Sequence, residues 1–318
     1  MLKEELLQLF PGRIKQGILQ AQLDFETVQE VRLRVNQPMI FREYGREFYI
    51  TESGEKSFDS CQGSCITAKE LKALVEAACG YSGYAFEEEI KRGYVTLGGG
   101  HRMGLVGRAV VTEQGIQTLK YISGLNIRVA HPVKGCGELW RSYLYKKKSP
   151  CHTLLISPPG CGKTTLLRDV VRMLSDGDHR HPGVSVSVVD ERSEIAGMYR
   201  GILTQELGMR TDVLDGCPKA WGMEMVLRSM APEVLAVDEI GIMDVPYIEN
   251  ALRCGCKVIA TMHGEGLEDF LKKPGFSGLV KEKVFERYFI LEKRKTPGTV
   301  SAVYDENFKV MWEEKRCI

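Results

Sequence analysis

The chain has 318 residues, 43% hydrophobic and 27% charged, and its 43 lysines and arginines against 42 aspartates and glutamates leave a net charge of +1. That is chain enough for one large domain or two ordinary ones, and so even a balance excludes any global pull toward nucleic acid or an anionic membrane. The apolar runs, such as Leu154 to Ile156 and Val234 to Val237, stop far short of the about 20 residues a membrane helix needs, and the ten cysteines include no Cys-x-x-Cys and so offer poor metal spacing.

In chain order, Met1-Leu2-Lys3-Glu4-Glu5 is charged and lacks a signal-peptide core. A cytosolic chain is expected, one that meets a membrane only through a partner. Val31 to Val35 alternates apolar and charged residues, Asn36-Gln37-Pro38 reads as a turn, and Met39 to Phe41 and Glu47 to Ile50 resume as strands. The pattern predicts a small antiparallel sheet. Thr67 to Cys79 predicts an amphipathic helix, with Thr67 as its cap, Glu70 at the capping-box position and Gly80 beyond its end. Tyr94 to Leu97, a Gly98-Gly99-Gly100 turn, Met103 to Val111 and Ile122 to Val129 return to strand. From Pro132 to Pro150 the character changes, and Lys146-Lys147-Lys148 reads as a solvated linker, with nucleic-acid contact the alternative.

The next segment carries the most information. Thr153 to Ser157 is a short apolar strand, Pro158-Pro159-Gly160-Cys161-Gly162 a turn, and Lys163-Thr164-Thr165 opens an apolar-periodic helix. This strand–loop–helix order turns a phosphate-binding pattern into a phosphate-binding loop. Gly160 and Gly162 allow backbone angles that turn successive N–H groups inward around an anion. The helix start adds its positive end. Lys163 supplies a charge for the outer phosphates, and Thr164 a hydroxyl for Mg²⁺. Ser157 stands where the pattern usually has its first glycine.

Beyond the loop, strands and helices alternate, which predicts a parallel sheet. The expected strands are Thr153 to Ser157, Val184 to Asp190, Val234 to Asp238 and Lys257 to Met262; Ala220 to Met230 and Val245 to Cys254 are expected helices, and Val284 to Tyr304 adds one or two strands. Ligands sit at the carboxyl ends of such strands. There Asp238 is placed to hold Mg²⁺, and Glu239 to polarise the attacking water. Asp190 and Glu191 repeat the arrangement, while Arg192 has the alternative of pairing with a neighbouring carboxylate. Thr261 and His263 end another strand and are placed to sense the γ-phosphate. Arg102, Arg108, Arg200, Arg210 and Arg228 are the candidates for the extra positive charge that phosphoryl transfer uses.

These motifs and their order resemble the type II/IV secretion ATPases, a RecA-like branch of the P-loop NTPases. The residues that carry the likeness are Ser157 to Thr164, Asp190 and Glu191, Leu227-Arg228, Pro232 to Val234, Asp238 to Gly241, and Val258 to His263. The last run is like that family's histidine box. Met103 to Val110 and Ile122 to Val129 resemble the strands whose arginines reach the nucleotide, which makes Arg102 and Arg108 arginine-finger candidates. Val189 to Gly197 and Gly208 to Asp215 resemble a sporulation branch of the family. Asp238 departs from the family, which usually has glycine there.

The resemblance implies an α/β chain: a smaller α+β domain over 1–133, a linker over 134–150 and a RecA-like P-loop core with a parallel sheet over 151–318. It implies Mg²⁺-dependent ATP hydrolysis by a homohexameric ring. That ring would be docked on the cytoplasmic, mother-cell side of a membrane protein in a sporulation channel complex, with no nucleic-acid partner. Two other classes stay open: a nucleic-acid-stimulated RecA-like NTPase, which single-stranded DNA would activate, and a nucleotide-gated scaffold with little turnover.

Overall fold

The computed structural model describes residues 2–80, 90–91, 93–113, 115–131, 133–294 and 296–314. Met1 and Pro132, each at the edge of an expected segment, lie outside them. Contacts divide the chain into two units, Met1–His131 with Gly197–Thr204, and Pro132–Ala196 with Gln205–Ile318. The first unit thus includes a segment, Gly197–Thr204, that lies far beyond His131 in sequence.

The first unit is a seven-stranded antiparallel sheet. Its strands are β1 (Val28–Arg34), β2 (Ile40–Glu43), β3 (Arg46–Ile50), β4 (Lys56–Ser57), β5 (Tyr94–Thr96), β6 (Arg102–Thr112) and β7 (Gly115–Arg128), in the order β4-β3-β2-β1-β7-β6-β5. The period-2 pattern sorts the faces. Val31, Leu33, Met103, Leu105, Leu125 and Ile127 share one buried core. Helices Leu2–Leu9, Gly12–Gln20 and Ala68–Ala78 add Leu6, Ile14, Ile18, Leu71 and Leu74 to it, and Phe10 joins from the link between the first two, each fully buried side chain contributing about 1.5–3 kcal/mol. The capping box of the third helix forms as its sequence predicts: Glu70 N donates to Thr67 Oγ1 at 3.2 Å, and Thr67 N to Glu70 Oε2 at 2.9 Å.

The opposite face collects arginines. Register places Glu30 across from Arg128 and Arg42, and Arg128 across from Arg102. Glu30 accepts a 3.1 Å ion pair from Arg32. The Arg102 guanidinium lies 3.7 Å from the Tyr94 ring centre. Arg108 sits further out on the β6–β7 ribbon, exposed and opposite Lys120.

The second unit carries an eight-stranded sheet. Its strands are β10 (Thr153–Ser157), β11 (Val186–Asp190), β12 (Thr211–Asp215), β13 (Val234–Val237), β14 (Lys257–His263), β15 (Arg287–Leu291), β16 (Val300–Asp305) and β17 (Val310–Glu313), following a small hairpin of β8 (Tyr145–Lys146) and β9 (Ser149–Pro150). The order is β12-β11-β13-β14-β10-β15-β16-β17. The first six are parallel, and β16 and β17 run antiparallel to their neighbours. The expected parallel sheet is therefore mixed. The short link from Leu291 to Val300 permits a hairpin and not the crossover a parallel pair requires.

Both faces of this sheet are covered, which is why its strands read as unbroken apolar runs. Leu155, Val186, Val188, Val234 and Ala236 pack with helix Lys163–Asp176 through Leu166, Leu167, Val170 and Leu174. Leu154, Ile156, Val189, Leu235 and Val237 face the other way, onto Met223 and Val226 of helix Lys219–Ser229 and Ile248 of helix Val245–Arg253. Residues 134–150, expected as a linker, add side chains to this core, while Lys146-Lys147-Lys148 is exposed. Trp140, Leu144 and Tyr145 are buried, and the Trp140 ring meets Phe289 and Trp312 edge-on at 6.2 and 4.7 Å. Among the described residues, no helix is long and apolar enough to cross a membrane.

Candidate functional site

β10 delivers the loop. All five of its residues are buried, and it is hydrogen-bonded on one side to β14 and on the other to β15. Gly160 has φ 76° and space where a side chain would be. Gly162 has φ 89° and caps helix Lys163–Asp176, whose N-terminus takes no side-chain hydrogen bond. Its first amides are therefore available to an anion. A Cβ at Gly162 would lie 2.2 Å from the Gly298 nitrogen, so the loop rests on Pro297-Gly298. Gly298 N fixes it by donating to Cys161 O at 2.8 Å. The buried Ser157 hydroxyl turns onto Pro158 O at 2.8 Å, which accommodates serine where glycine is usual.

The strand ends converge on this loop. β14 lies between β10 and β13, so Thr261 and His263 are set between the loop and Asp238-Glu239. Thr164 Oγ1 donates to Asp238 Oδ2 at 2.6 Å. Asp238 Oδ1 accepts from Thr261 Oγ1 and, at 3.0 Å, from Glu239 N. A hydroxyl and a carboxylate brought together in this way are hard oxygen donors of the kind Mg²⁺ takes, so the residues present fit that ion. Lys163 Nζ lies 3.0 Å from His263 Nδ1, and His263 Nε2 lies 2.8 Å from Glu239 Oε1. An ammonium only donates, so Nδ1 accepts and Nε2 carries the hydrogen shared with Glu239. Burial pulls the Lys163 ammonium below its ordinary value, against the attraction of Glu239 and Asp238.

Asp190 and Glu191 divide differently from the sequence reading. Asp190 takes three amides, from Glu194 at 2.9 Å, Ile195 at 2.9 Å and Ala196 at 2.8 Å. Arg168 donates to the carbonyls of Ile195 at 2.7 Å and Glu194 at 2.8 Å. Acid and guanidinium thus clamp one loop between them, and the Asp190 oxygens are occupied by backbone. Burial, with Asp215 nearby, pushes the Asp190 carboxyl up to about 6 in spite of its amides. A raised folded value favours the protonated native state. Asp190 therefore contributes stability below its unfolded value of 3.8 that is lost as pH rises through about 6. The loss of unfolding free energy between pH 5 and 7 is expected to be larger in the native chain than in Asp190→Asn; denaturant melts of both at the two pH values measure it.

Glu191 stays half-exposed, its Oε2 3.9 Å from Lys219 Nζ. Arg192 pairs with Glu239 at 3.2 Å, the alternative its sequence allowed. Arg210 donates to Ser175 O at 2.9 Å, at the far end of the phosphate-loop helix, and Arg228 pairs with Glu224 on an exposed helix face. Arg102, Arg108 and Arg200 belong to the first unit. Two residues that sequence reasoning passed over are central: Arg168, and Lys219, which donates to Glu239 O at 2.5 Å. A lysine opening a helix opposes the helix dipole, and that was the available signal for Lys219.

The profile of the family described as Sporulation stage III, protein AA matches residues 1–311. The chain is 40% identical over 309 residues to the stage III sporulation protein AA of Bacillus subtilis (strain 168), across 96% of each chain. It is 30% identical over 170 residues to the protein SEEDLING PLASTID DEVELOPMENT 1 of Arabidopsis thaliana, across 50% of this chain and 22% of that one. Among solved structures, the Legionella pneumophila ATPase DotB aligns with a TM-score of 0.54 at 15% identity, over 88% of this chain and 77% of that one. The pilus retraction motor PilT with bound ADP aligns with a TM-score of 0.56 at 12% identity, over 95% and 82%. Such identities speak for the fold alone, an α/β fold with a mostly parallel sheet.

Proposed function

Because this chain belongs to the sporulation stage III protein AA family, we propose that it is a Mg²⁺-dependent ATP-hydrolysing motor that drives assembly or export through a transenvelope channel during endospore formation. One observation carries the reading: Lys163 and Thr164 of a glycine loop meet Asp238, Glu239 and His263 at the carboxyl ends of neighbouring parallel strands. The loop amides and Lys163 hold the phosphates, Lys163 exchanging His263 for the outer ones. Thr164 and Asp238 hold Mg²⁺, which when bound neutralises charge on the phosphate oxygens. Glu239 takes the proton from water as its oxygen bonds to the γ-phosphorus, and the bond to the ADP oxygen breaks. His263 fixes Glu239 and responds to the γ-phosphate, with Glu191 at the rim of the site. Arg102 and Arg108 supply the remaining positive charge, from this chain or from a neighbour in a hexameric ring. The ring works at the cytoplasmic face of a membrane partner, in the mother cell.

Phosphate release from ATP and Mg²⁺ by the full chain, alone and with its membrane partner, tests the reading; no turnover in either case overturns it. Lys163→Ala is expected to lose a charge-assisted contact of about 1.5–3 kcal/mol, or roughly 10–150-fold in affinity for a fluorescent ATP analogue. Unchanged affinity would remove Lys163 from the phosphate site.

A further inference from the structure

We infer that Lys219 is a positioning residue for hydrolysis: its ammonium holds the backbone of Glu239 in a left-handed conformation that aims the carboxylate along the loop. The inference rests on the ATPase reading and concerns a residue outside the phosphate loop and the acidic strand end.

Glu239 has φ 51°, a region that non-glycine residues seldom occupy and that persists only where the surroundings enforce it. Contacts at three of its groups enforce it here. Its amide donates to Asp238 Oδ1 at 3.0 Å and to Thr261 Oγ1 at 2.9 Å. Its carboxylate is tied to His263 at 2.8 Å and Arg192 at 3.2 Å. Its carbonyl receives Lys219 Nζ at 2.5 Å. The carboxylate is the group assigned to the water, whereas the carbonyl contact bears on the backbone alone.

Lys219 is itself held in place. It is the first residue of helix Lys219–Ser229, where a cation meets the positive end of the dipole. Asp244 at 3.4 Å and Glu191 at 3.9 Å offset that cost. Asp244 also accepts from Gly241 N at 2.8 Å, fixing the turn just past Glu239. The lysine side chain is only 17% exposed, so its charge acts in a poorly screened setting. The cluster of Lys219, Asp244 and Glu191 thus braces the Glu239 turn from the side away from Lys163.

The test uses the full chain, with Lys219→Met and Lys219→Arg compared with the native protein. Lys219→Met is expected to lower kcat between about ten- and a hundredfold, the range for a misplaced catalytic group, with the ATP-analogue dissociation constant and the unfolding temperature retained. Lys219→Arg keeps the donor and is expected to recover part of kcat. In a crystal structure of Lys219→Met, Glu239 is expected to leave positive φ. An unchanged kcat overturns the inference, as does a kcat loss with Glu239 still left-handed, or one that tracks lost affinity. If the native chain hydrolyses nothing, the ATPase reading fails separately, and the Glu239 backbone in Lys219→Met still decides whether the lysine holds it.

Discussion

Glu239→Gln is expected to slow ATP hydrolysis about 10²–10⁴-fold, the usual cost of losing a general base, while nucleotide still binds. Glutamine keeps the length of the side chain and an oxygen for His263 and Arg192, now 2.8 and 3.2 Å from the carboxylate. It lacks the basicity to accept a proton from water. Phosphate contacts reside in the loop and Lys163, so affinity is expected to stay near that of the native chain. Single-turnover hydrolysis beside equilibrium titration separates the two quantities. A variant that hydrolyses at the native rate would move the base elsewhere, with the half-exposed Glu191 another acid at the strand ends. A variant that loses affinity in parallel would mean that Glu239 shapes the phosphate site and not the water.

Gly162→Ala is expected to destabilise the second unit by about 2–5 kcal/mol, adding a left-handed penalty of about 1–2 kcal/mol to an overpacking cost of about 1–3 kcal/mol. The new methyl would lie 2.2 Å from Gly298 N and 2.8 Å from Pro297 C. Both are backbone atoms and cannot rotate aside. Gly160→Ala is the matched control, since its φ of 76° carries the same conformational penalty but nothing lies within 4 Å of its Cβ. Chemical denaturation of both variants measures the difference. Equal losses at 160 and 162 would show that the Pro297-Gly298 seat is soft. The same seat braces the loop, since Gly298 N holds Cys161 O from outside it.

Much of the second unit was legible because buried parallel strands and their acidic ends announce themselves. The strand Thr153–Ser157 has the bounds its sequence predicts, and helices Lys219–Ser229 and Val245–Arg253 begin and end within a residue of expectation. β12 was not anticipated; at the sheet edge only partly buried, Thr211-Asp212-Val213-Leu214-Asp215 shows neither an apolar run nor alternation. The N-terminal helices were missed although Leu6, Phe10, Ile14 and Ile18 recur every fourth residue and all are buried; Pro11 breaks the period and hides it. At the site, residue type revealed the loop, Asp238 and Glu239. It did not separate Asp190 from Glu191, because only the fold shows that three amides claim the first. Lys219 showed only as a lysine at a helix start, for a related reason: its partner is a carbonyl, which every residue has.

The segment Gly197–Thr204, which groups with the first unit although it follows the phosphate loop in sequence, bears on how the protein is made. Tyr199 packs on the first unit's core, and Thr204 Oγ1 closes the segment by donating to Gly197 O at 2.6 Å. On the ribosome, residues 1–131 emerge well before that piece of their own structure, and β10, the loop and β11 emerge in between. Completion of the first unit therefore waits on synthesis deep into the second. Neither unit is an uninterrupted stretch of gene, and a fragment cut at the apparent boundary carries away part of one unit inside the other.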